Sequence, residues 1–172
     1  MTERLENQND QNNKIFDVER IYIKKSSFEI IDAPNSLLLQ WKPEMNFEIK
    51  NSNNKWSENK LYEVVLSATL KIKIADKEIC TCSVDQAGIF KLEGFTEDEQ
   101  KQILFAHCAD ILYPYLRQAI SDQLVNGSLP AVLLKPISFE AVYQQQKEQE
   151  KNKASESKVA EKKSYPKTHL ND

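Results

Sequence analysis

The sequence predicts an α+β protein in which a four-stranded antiparallel sheet packs one face against two C-terminal helices. Long stretches in which apolar and polar residues alternate predict strands in the first half of the chain. After Gly94 the apolar residues recur every three or four positions, which is typical of helices. Because all the strands precede all the helices, the order favours α+β over an alternating α/β fold, and 172 residues suit one domain.

The first strand is predicted over residues 15–28, with a change of phase inside it. Phe16 and Val18 occupy even positions, whereas Ile21 and Ile23 occupy odd positions. Successive strand residues point to opposite faces, so one extra residue is needed for both pairs to face the core. The pattern therefore predicts a β-bulge near Glu19.

The connection from Glu29 to Glu44 is unusually apolar for a loop. It contains two prolines together with the cluster Leu37, Leu38, Leu39 and Trp41. Loops mostly run over the surface and are polar, and one irregular segment cannot turn all four side chains inward. We therefore expect part of this cluster to form an exposed apolar patch of the kind that marks a binding surface.

The next three strands differ greatly in their predicted length. Residues 45–49 alternate as a short second strand, and the polar run 50–60 predicts a hairpin loop. The third strand, 62–74, would span about 44 Å, much longer than a common strand. It pairs with a fourth strand over 78–92. A hairpin of this size is difficult to cover within one small chain, so we expect the sheet to continue into, or pack on, another subunit.

The helical part begins after Thr96, a capping residue followed by three acidic residues at 97–99. Apolar rows continue to the Asn-Gly pair at 126–127, which predicts the helix end. Pro114 lies inside this stretch and predicts a kink or a break. A second helix is predicted to start near Ser138.

The two ends of the chain are too polar to fold by themselves. We predict a disordered leader over 1–14, a folded domain over 15–146 and a charged flexible tail over 147–172. The tail contains seven lysines and five acidic residues, so its net charge is +2. The whole chain carries −3, so the predicted domain is more acidic than the total suggests.

Composition excludes several classes of function. The mild negative charge argues against nucleic-acid binding, and three glycines leave no room for a phosphate-binding glycine loop. The polar N-terminus is unlike a signal peptide, and no apolar run reaches the length of a membrane span. The sequence therefore predicts a soluble cytoplasmic protein that does not insert into membranes.

No group of residues predicts catalysis, a cofactor or a metal site. Cys80, Cys82 and Cys108 are better interpreted as buried small hydrophobes than as zinc ligands, because structural zinc prefers CxxC-type spacing. His107 is adjacent to Cys108, but neighbouring helical residues point about 100° apart and do not face each other. We therefore predict that the protein is not an enzyme.

Several segments, in order, are similar to the bacterial protein-export chaperone family SecB. They are FDVERIYIKKSSFE, DAP, QWKPE, YEVVL, VDQAGIF and ILYPYLRQAISDQLVNGSLPAVLLKPISFEAVYQQQ, and they span residues 16–146. The resemblance implies an ATP-independent holdase that binds unfolded preproteins, keeps them translocation-competent and delivers them to the SecA motor ATPase. It also implies a homotetramer, a dimer of dimers, whose long helices lie between two sheets.

The resemblance also assigns roles to particular residues. The client-binding groove would lie under the connection between the first two strands and beside the last helix. Its candidates are Tyr22, Phe28, Leu37, Leu38, Leu39, Trp41, Val142 and Tyr143. The positions that match the family's tetramer contacts are Cys82, Val84 and Gln86.

The surface that would dock SecA departs from the family pattern. Glu29 matches one of the acidic positions that meet the basic, zinc-bearing tail of SecA, and Asp85 is a candidate substitute nearby. Lys25 and Ser83, however, stand where the family usually has acids, so the resemblance supports client binding more strongly than SecA docking.

Two alternatives remain open from the sequence. One is a SecB-like chaperone dedicated to a specific client, such as a toxin–antitoxin pair. The more remote one is a small-ligand-binding or hydrolytic α+β protein that uses the apolar loop as a lid. Client pull-downs separate the first from general export, and a ligand retained through purification would favour the second.

Overall fold

A computed structural model describes residues 13–57 and 60–149 of the chain. Four strands form one antiparallel sheet in the order β1-β4-β3-β2, which confirms the predicted sheet. The strands are β1 (Ile15–Ile30), β2 (Glu44–Ser57), β3 (Leu61–Ile74) and β4 (Lys77–Glu93). β1 and β2 are the two edges of this sheet, so each has one side without a strand partner in the described protomer.

The central hairpin of β3 and β4 gives the sheet two distinct faces. In β3, Val64, Leu66, Ala68, Leu70 and Ile72 are buried, and the residues between them are mostly polar. The face that carries these buried residues is here called the helix face, and the opposite one the outer face. Ala75 and Asp76, which join the two strands, both have positive φ angles, as a turn that matches the strand twist requires.

β1 contains the predicted bulge and a second one that the sequence analysis missed. The register with β4 shifts between Val18 and Arg20, as expected, and again between Ile23 and Lys25. Each shift exchanges the faces to which odd and even residues point. The second shift therefore reverses the orientation of every side chain after Lys24 relative to the simple alternation.

The prediction of a short second strand followed by a long hairpin loop was wrong. β2 extends to Ser57 and pairs with β3 along its whole length, with Asn51 opposite Leu66 and Asn53 opposite Val64. Asparagine has low strand propensity, but pairing with a long apolar strand supplies hydrogen bonds for the backbone regardless of side chain. Tertiary context thus overrides the local preference.

The helical part begins as predicted and then continues through Pro114. α1 (Glu97–Gln102) has Thr96 as its cap, and Thr96 and Glu99 form the reciprocal hydrogen bonds of a capping box. A π-helical turn over Ile103–His107 joins it to α2 (Cys108–Asn126), which contains Pro114 without a break. A further helix, α3, covers 139–149.

The core lies between the helix face and α2. Leu112, Leu116, Ile120 and Leu124 of α2 are buried, and the rows they form were predicted as the apolar stripe. Cys80, Cys82 and Cys108 are free and buried, as predicted. Burial raises the pKa of Cys80 to about 11 and the pKa values of Cys82 and Cys108 to about 12.

The predicted leader and tail fall almost entirely outside the described residues. Residues 13–14 precede β1, and α3 continues through 149, three residues into the segment predicted as tail. In the described part of the chain, no helix combines the length and hydropathy needed to cross a membrane.

Candidate apolar binding site

A site between β2, the π-helical turn and α3 is here called the α3 site. It consists of two adjoining cavities of about 370 and 410 Å³ that share Phe105 and Gln146 in their walls. Predicted residues Val142 and Tyr143 line one cavity each. The remaining apolar walls come from Ile49, Leu104, Ile137 and Phe139.

Two hydrogen bonds and one aromatic contact hold the walls of the α3 site together. The Asn51 side-chain amide donates a 2.7 Å hydrogen bond to the Phe105 carbonyl oxygen, which ties β2 to the π-helical turn. The Phe105 ring packs on the Tyr143 ring with centroids 5.4 Å apart. Gln102 donates a 2.8 Å hydrogen bond to Glu140, which ties α1 to α3. These contacts hold Phe105 and Tyr143 side by side in a site still open to a ligand.

The connection between β1 and β2, here called the crossover, carries exposed apolar side chains as predicted. A short 3₁₀ turn over Asn35–Leu38 leaves Leu38 85% exposed, and Leu37 and Leu39 are also exposed. Leu39 lines a cavity of about 530 Å³ together with Ile31, Ile74 and Ile79. Trp41, in contrast, is half-buried and packs against the core.

Edge strand β2 links the crossover to the α3 site. Met45, Phe47 and Ile49 point to its helix face, Met45 exposed and the other two half-buried against the core. Ile49 lies opposite Ala68 of β3, six residues from Ile74 in the crossover cavity. Six strand residues span about 20 Å, so an extended client segment of roughly seven residues could reach both ends.

Tyr22, a predicted groove residue, is not brought together with the α3 site. It lies on the outer face, where its hydroxyl donates a hydrogen bond to Glu63. Phe28 lies on the helix face and is half-buried under the end of α2. Its ring is so close to Gly127 that a Cβ atom at position 127 would clash with it. The two side chains are separated by the sheet, because the bulge at Lys24 reverses the alternation between them.

The hydrogen bond between Tyr22 and Glu63 also shifts the pKa values of both groups. The hydrogen bond to Glu63 is the main cause that raises the pKa of Tyr22 to about 12, and burial adds to it. Lys24 donates a 2.7 Å hydrogen bond to the same carboxylate and is the first cause that lowers the Glu63 pKa. These three side chains form a small charged cluster on the outer face.

The three predicted tetramer contacts are covered within the protomer. Cys82, Val84 and Gln86 are between 0% and 3% exposed. The Cys82 thiol donates a hydrogen bond to Gln123 of α2, and the Gln86 amide donates to the backbone oxygen of Tyr22. Each side chain is enclosed by its own protomer, and the predicted part of these residues in a tetramer interface stays a prediction. They can act on assembly by positioning α2 and β1.

The predicted SecA-docking residues share the outer face. Asp85 lies opposite Lys25 in the β1–β4 register, and Glu29 lies opposite Thr81. Ser83 is opposite Ser27, and its hydroxyl lies 3.1 Å from that of Thr69. The outer face around these positions is polar and mixes charges of both signs.

Ile49 and Phe105, which line the α3 site, were not predicted from the sequence as site residues, and neither were Met45 and Phe47, which precede Ile49 on the helix face of β2. The alternation of Met45, Phe47 and Ile49 did indicate a strand, but nothing local shows that this strand is an edge of the sheet. Phe105 belongs to a π-helical turn, which the helical periodicity does not reveal.

Comparisons with known proteins agree on one family. The family model described as "Preprotein translocase subunit SecB" matches residues 8–150. A protein-export protein SecB of Alcanivorax borkumensis is 38% identical over 148 residues, covering 85% of this chain and 94% of its own. One of Marinobacter nauticus is 41% identical over 135 residues, covering 78% and 81%.

A solved structure shares the fold at low sequence identity. It is a SecB-like chaperone of Mycobacterium tuberculosis in complex with a ChAD peptide from the HigA1 antitoxin. It superposes with a TM-score of 0.60 at 19% identity and covers 72% of this chain and 91% of its own.

Proposed function

The chain belongs to the SecB family, and on that premise we propose that it is an ATP-independent holdase for protein export. It binds unfolded preproteins in the cytoplasm, keeps them translocation-competent and delivers them to SecA. The observation that carries this proposal is the apolar track from the exposed crossover leucines along β2 to the α3 site. Apolar contact needs no particular client sequence and contributes about 25 cal/mol per Å² of buried surface.

The test of client holding is an aggregation assay without nucleotide. A reduced, unfolded secretory precursor is diluted into buffer with the full-length chain, and light scattering is followed. Suppression of scattering supports the holdase, whereas no effect at an excess of the oligomer contradicts it.

Leu38→Ser is the variant that examines the crossover. Leu38 is 85% exposed, so its replacement should weaken client holding without disturbing the core. Leu133→Ser is the matched control, because Leu133 is equally exposed at 86% but lies outside the lining of the described cavities. Equal effects of the two substitutions would argue against a specific role for the crossover.

We also propose a homotetramer, whose assembly involves exposed surfaces besides Cys82, Val84 and Gln86. The side of α2 away from the sheet exposes Tyr115 and Val125, and edge strand β1 exposes Ile23. Exposed apolar side chains of this kind favour burial against a second copy. Light scattering coupled to size-exclusion chromatography should give a tetramer, and Tyr115→Lys should yield smaller species.

Docking to SecA is proposed for the outer face, through Glu29 and Asp85. Lys25 opposite Asp85 would oppose a basic tail of the motor and slow the encounter. Lys25→Asp should therefore tighten binding to SecA at low salt, and Glu29→Lys should weaken it. Unchanged affinities in both variants would exclude this face as the docking surface.

The export function is favoured over a dedicated client. The relatives at 38% and 41% identity are protein-export proteins, whereas the antitoxin-peptide complex is 19% identical and informs on the fold alone. Co-purification from cells distinguishes the two, since general export predicts many extended precursors and a dedicated chaperone predicts one partner.

A further inference from the structure

We propose that Asn51 and the π-helical turn together set the client-binding geometry of the α3 site. The turn takes Phe105 out of the buried row of the helix, and Asn51 holds it in the wall of the site. Asn51 is therefore a positioning residue that acts through Phe105 and not by touching the client. This role rests on the proposed holdase function and names the contact that builds its aromatic wall.

Helical periodicity alone would place Phe105 in the core. It lies four residues before Ala109 and seven before Leu112, and both of these are fully buried. Residues at such spacings share one face of an α-helix. In the structure, however, Leu104 and Ala106 on either side of it are buried, while Phe105 is half-buried and lines both cavities of the α3 site.

The π-helical turn accounts for this difference. The Cys108 N–H donates to the carbonyl oxygen of Ile103, five residues back, where a regular helix would use a spacing of four. The wider turn rotates its own residues and those before it around the helix axis, relative to α2. Phe105 is thereby directed towards α3, where its ring packs on the Tyr143 ring with centroids 5.4 Å apart.

Asn51 is placed to stabilise this arrangement. It follows Phe47 and Ile49 on the helix face of edge strand β2 and is the first polar residue of that series. Its side-chain nitrogen donates a 2.7 Å hydrogen bond to the Phe105 carbonyl oxygen, inside the π-helical turn. A regular turn would direct this carbonyl differently, so the hydrogen bond favours the π-helical form over the regular one.

The other half of the Asn51 amide shows that the core does not require it. Among the described residues, Oδ1 of Asn51 is buried and has no hydrogen-bond partner. An unpaired buried acceptor lowers stability, and the residue opposite in β3 is the fully buried, apolar Leu66. An apolar residue at position 51 would therefore suit the fold better. The benefit of the amide is its bond to Phe105, and through it the shape of the site.

The first experiment replaces Asn51 by apolar residues in the full-length chain. Asn51→Leu removes the donor to Phe105 and should weaken the binding of a labelled, unfolded secretory precursor about fivefold, the contribution of one hydrogen bond. Fluorescence anisotropy measures this affinity. The midpoint of urea unfolding should not fall, because the unpartnered oxygen is removed together with the donor. Asn51→Val, which has a high strand propensity, should behave in the same way.

The matched control is Asn54→Leu on the same edge strand. Asn54 lies opposite Glu63 and on the outer face, so its replacement adds the same apolar side chain to β2 away from the α3 site. Client affinity should not change in this control. An equal loss in Asn54→Leu would mean that any apolar residue on the edge strand impairs binding, and it would overturn the inference.

A double-mutant cycle separates positioning from direct contact with the client. Phe105→Ser alone should weaken binding about tenfold, and Asn51→Leu should add nothing to it if Asn51 acts through Phe105. Independent contributions would instead give a loss of about fiftyfold in the double variant. That result would overturn the positioning role, as would an unchanged affinity in Asn51→Leu or a lower urea midpoint in both apolar variants.

These outcomes leave the holdase itself intact, since they compare variants with a chain that binds the precursor. Failure of the unmodified chain to bind the labelled precursor, together with no suppression of its aggregation, would overturn the proposed function.

Discussion

The two faces of the sheet are built from the same four strands, yet they have different tasks. The helix face holds the core and, at its β2 edge, the apolar track. The outer face presents hydroxyls and mixed charges, with Tyr22, Glu63 and Lys24 as its charged cluster. Because strand residues alternate between faces, one residue step decides whether a side chain stabilises the protomer or meets a partner. Four predictions test how complete this division is, from the largest expected effect to the smallest.

The largest expected effect is a difference in thiol reactivity between the neighbouring positions 82 and 83. Cys82 is buried on the helix face, with its pKa raised to about 12, so little reactive thiolate exists near neutral pH. In a Ser83→Cys variant, the new thiol on the outer face should react with a thiol reagent about a thousandfold faster than Cys82. Mass spectrometry of the labelled peptides measures both rates. Similar rates would show that the helix face opens readily to solvent.

Removing a core side chain should cost far more than removing one from the outer face. Phe90→Ala deletes a fully buried ring of β4 and should lower the free energy of unfolding by about 3–5 kcal/mol. Thr69→Ala removes only the contact with the Ser83 hydroxyl and should cost about 1 kcal/mol or less. Urea unfolding of both variants measures the difference. Comparable losses would contradict the assignment of the core to one face.

Client binding should depend on the helix face alone. Phe105→Ser removes an aromatic wall of the α3 site and should weaken the binding of an unfolded precursor about tenfold, since roughly 1.5 kcal/mol of apolar contact is lost. Tyr22→Phe should leave client affinity unchanged, because Tyr22 lies on the outer face. Affinities are measured by competition with a labelled precursor. A loss of client binding in Tyr22→Phe would show that Tyr22 takes part in the client-binding groove.

The smallest effect is expected from Tyr22 itself, at alkaline pH. Its folded pKa of about 12 exceeds the usual value of 10.0, so the folded state keeps a proton that the unfolded state releases. Its contribution to stability is therefore complete below pH 10 and is lost as the pH rises towards 12. Tyr22→Phe should unfold with a shallower decline across this window, as followed by circular dichroism. An identical pH profile would mean that the contact with Glu63 is absent in solution.

Much of the secondary structure could be predicted because the sequence patterns that indicate it are local. The alternation of β3 and β4, the Thr96 cap and the helix end at 126–127 each depend on a few adjacent residues. The first bulge of β1 could also be predicted, since the apolar residues on both sides of it show that the alternation changes phase. The second bulge could not be predicted, because the polar residues Ser26 and Ser27 follow it and do not show which positions face the core.

By itself, then, the sequence determined the number and order of the strands, the main helices, the buried thiols and the family, since these follow from periodicity, capping and motifs. Only the tertiary structure decided that β2 runs to Ser57 as an edge, that Tyr22 and Phe28 lie on opposite faces, and that Cys82, Val84 and Gln86 face inward. The physical reason is that strand pairing and register depend on residues distant in the chain. The apolar walls of the α3 site likewise come from β2, the π-helical turn and α3, which only the fold brings together.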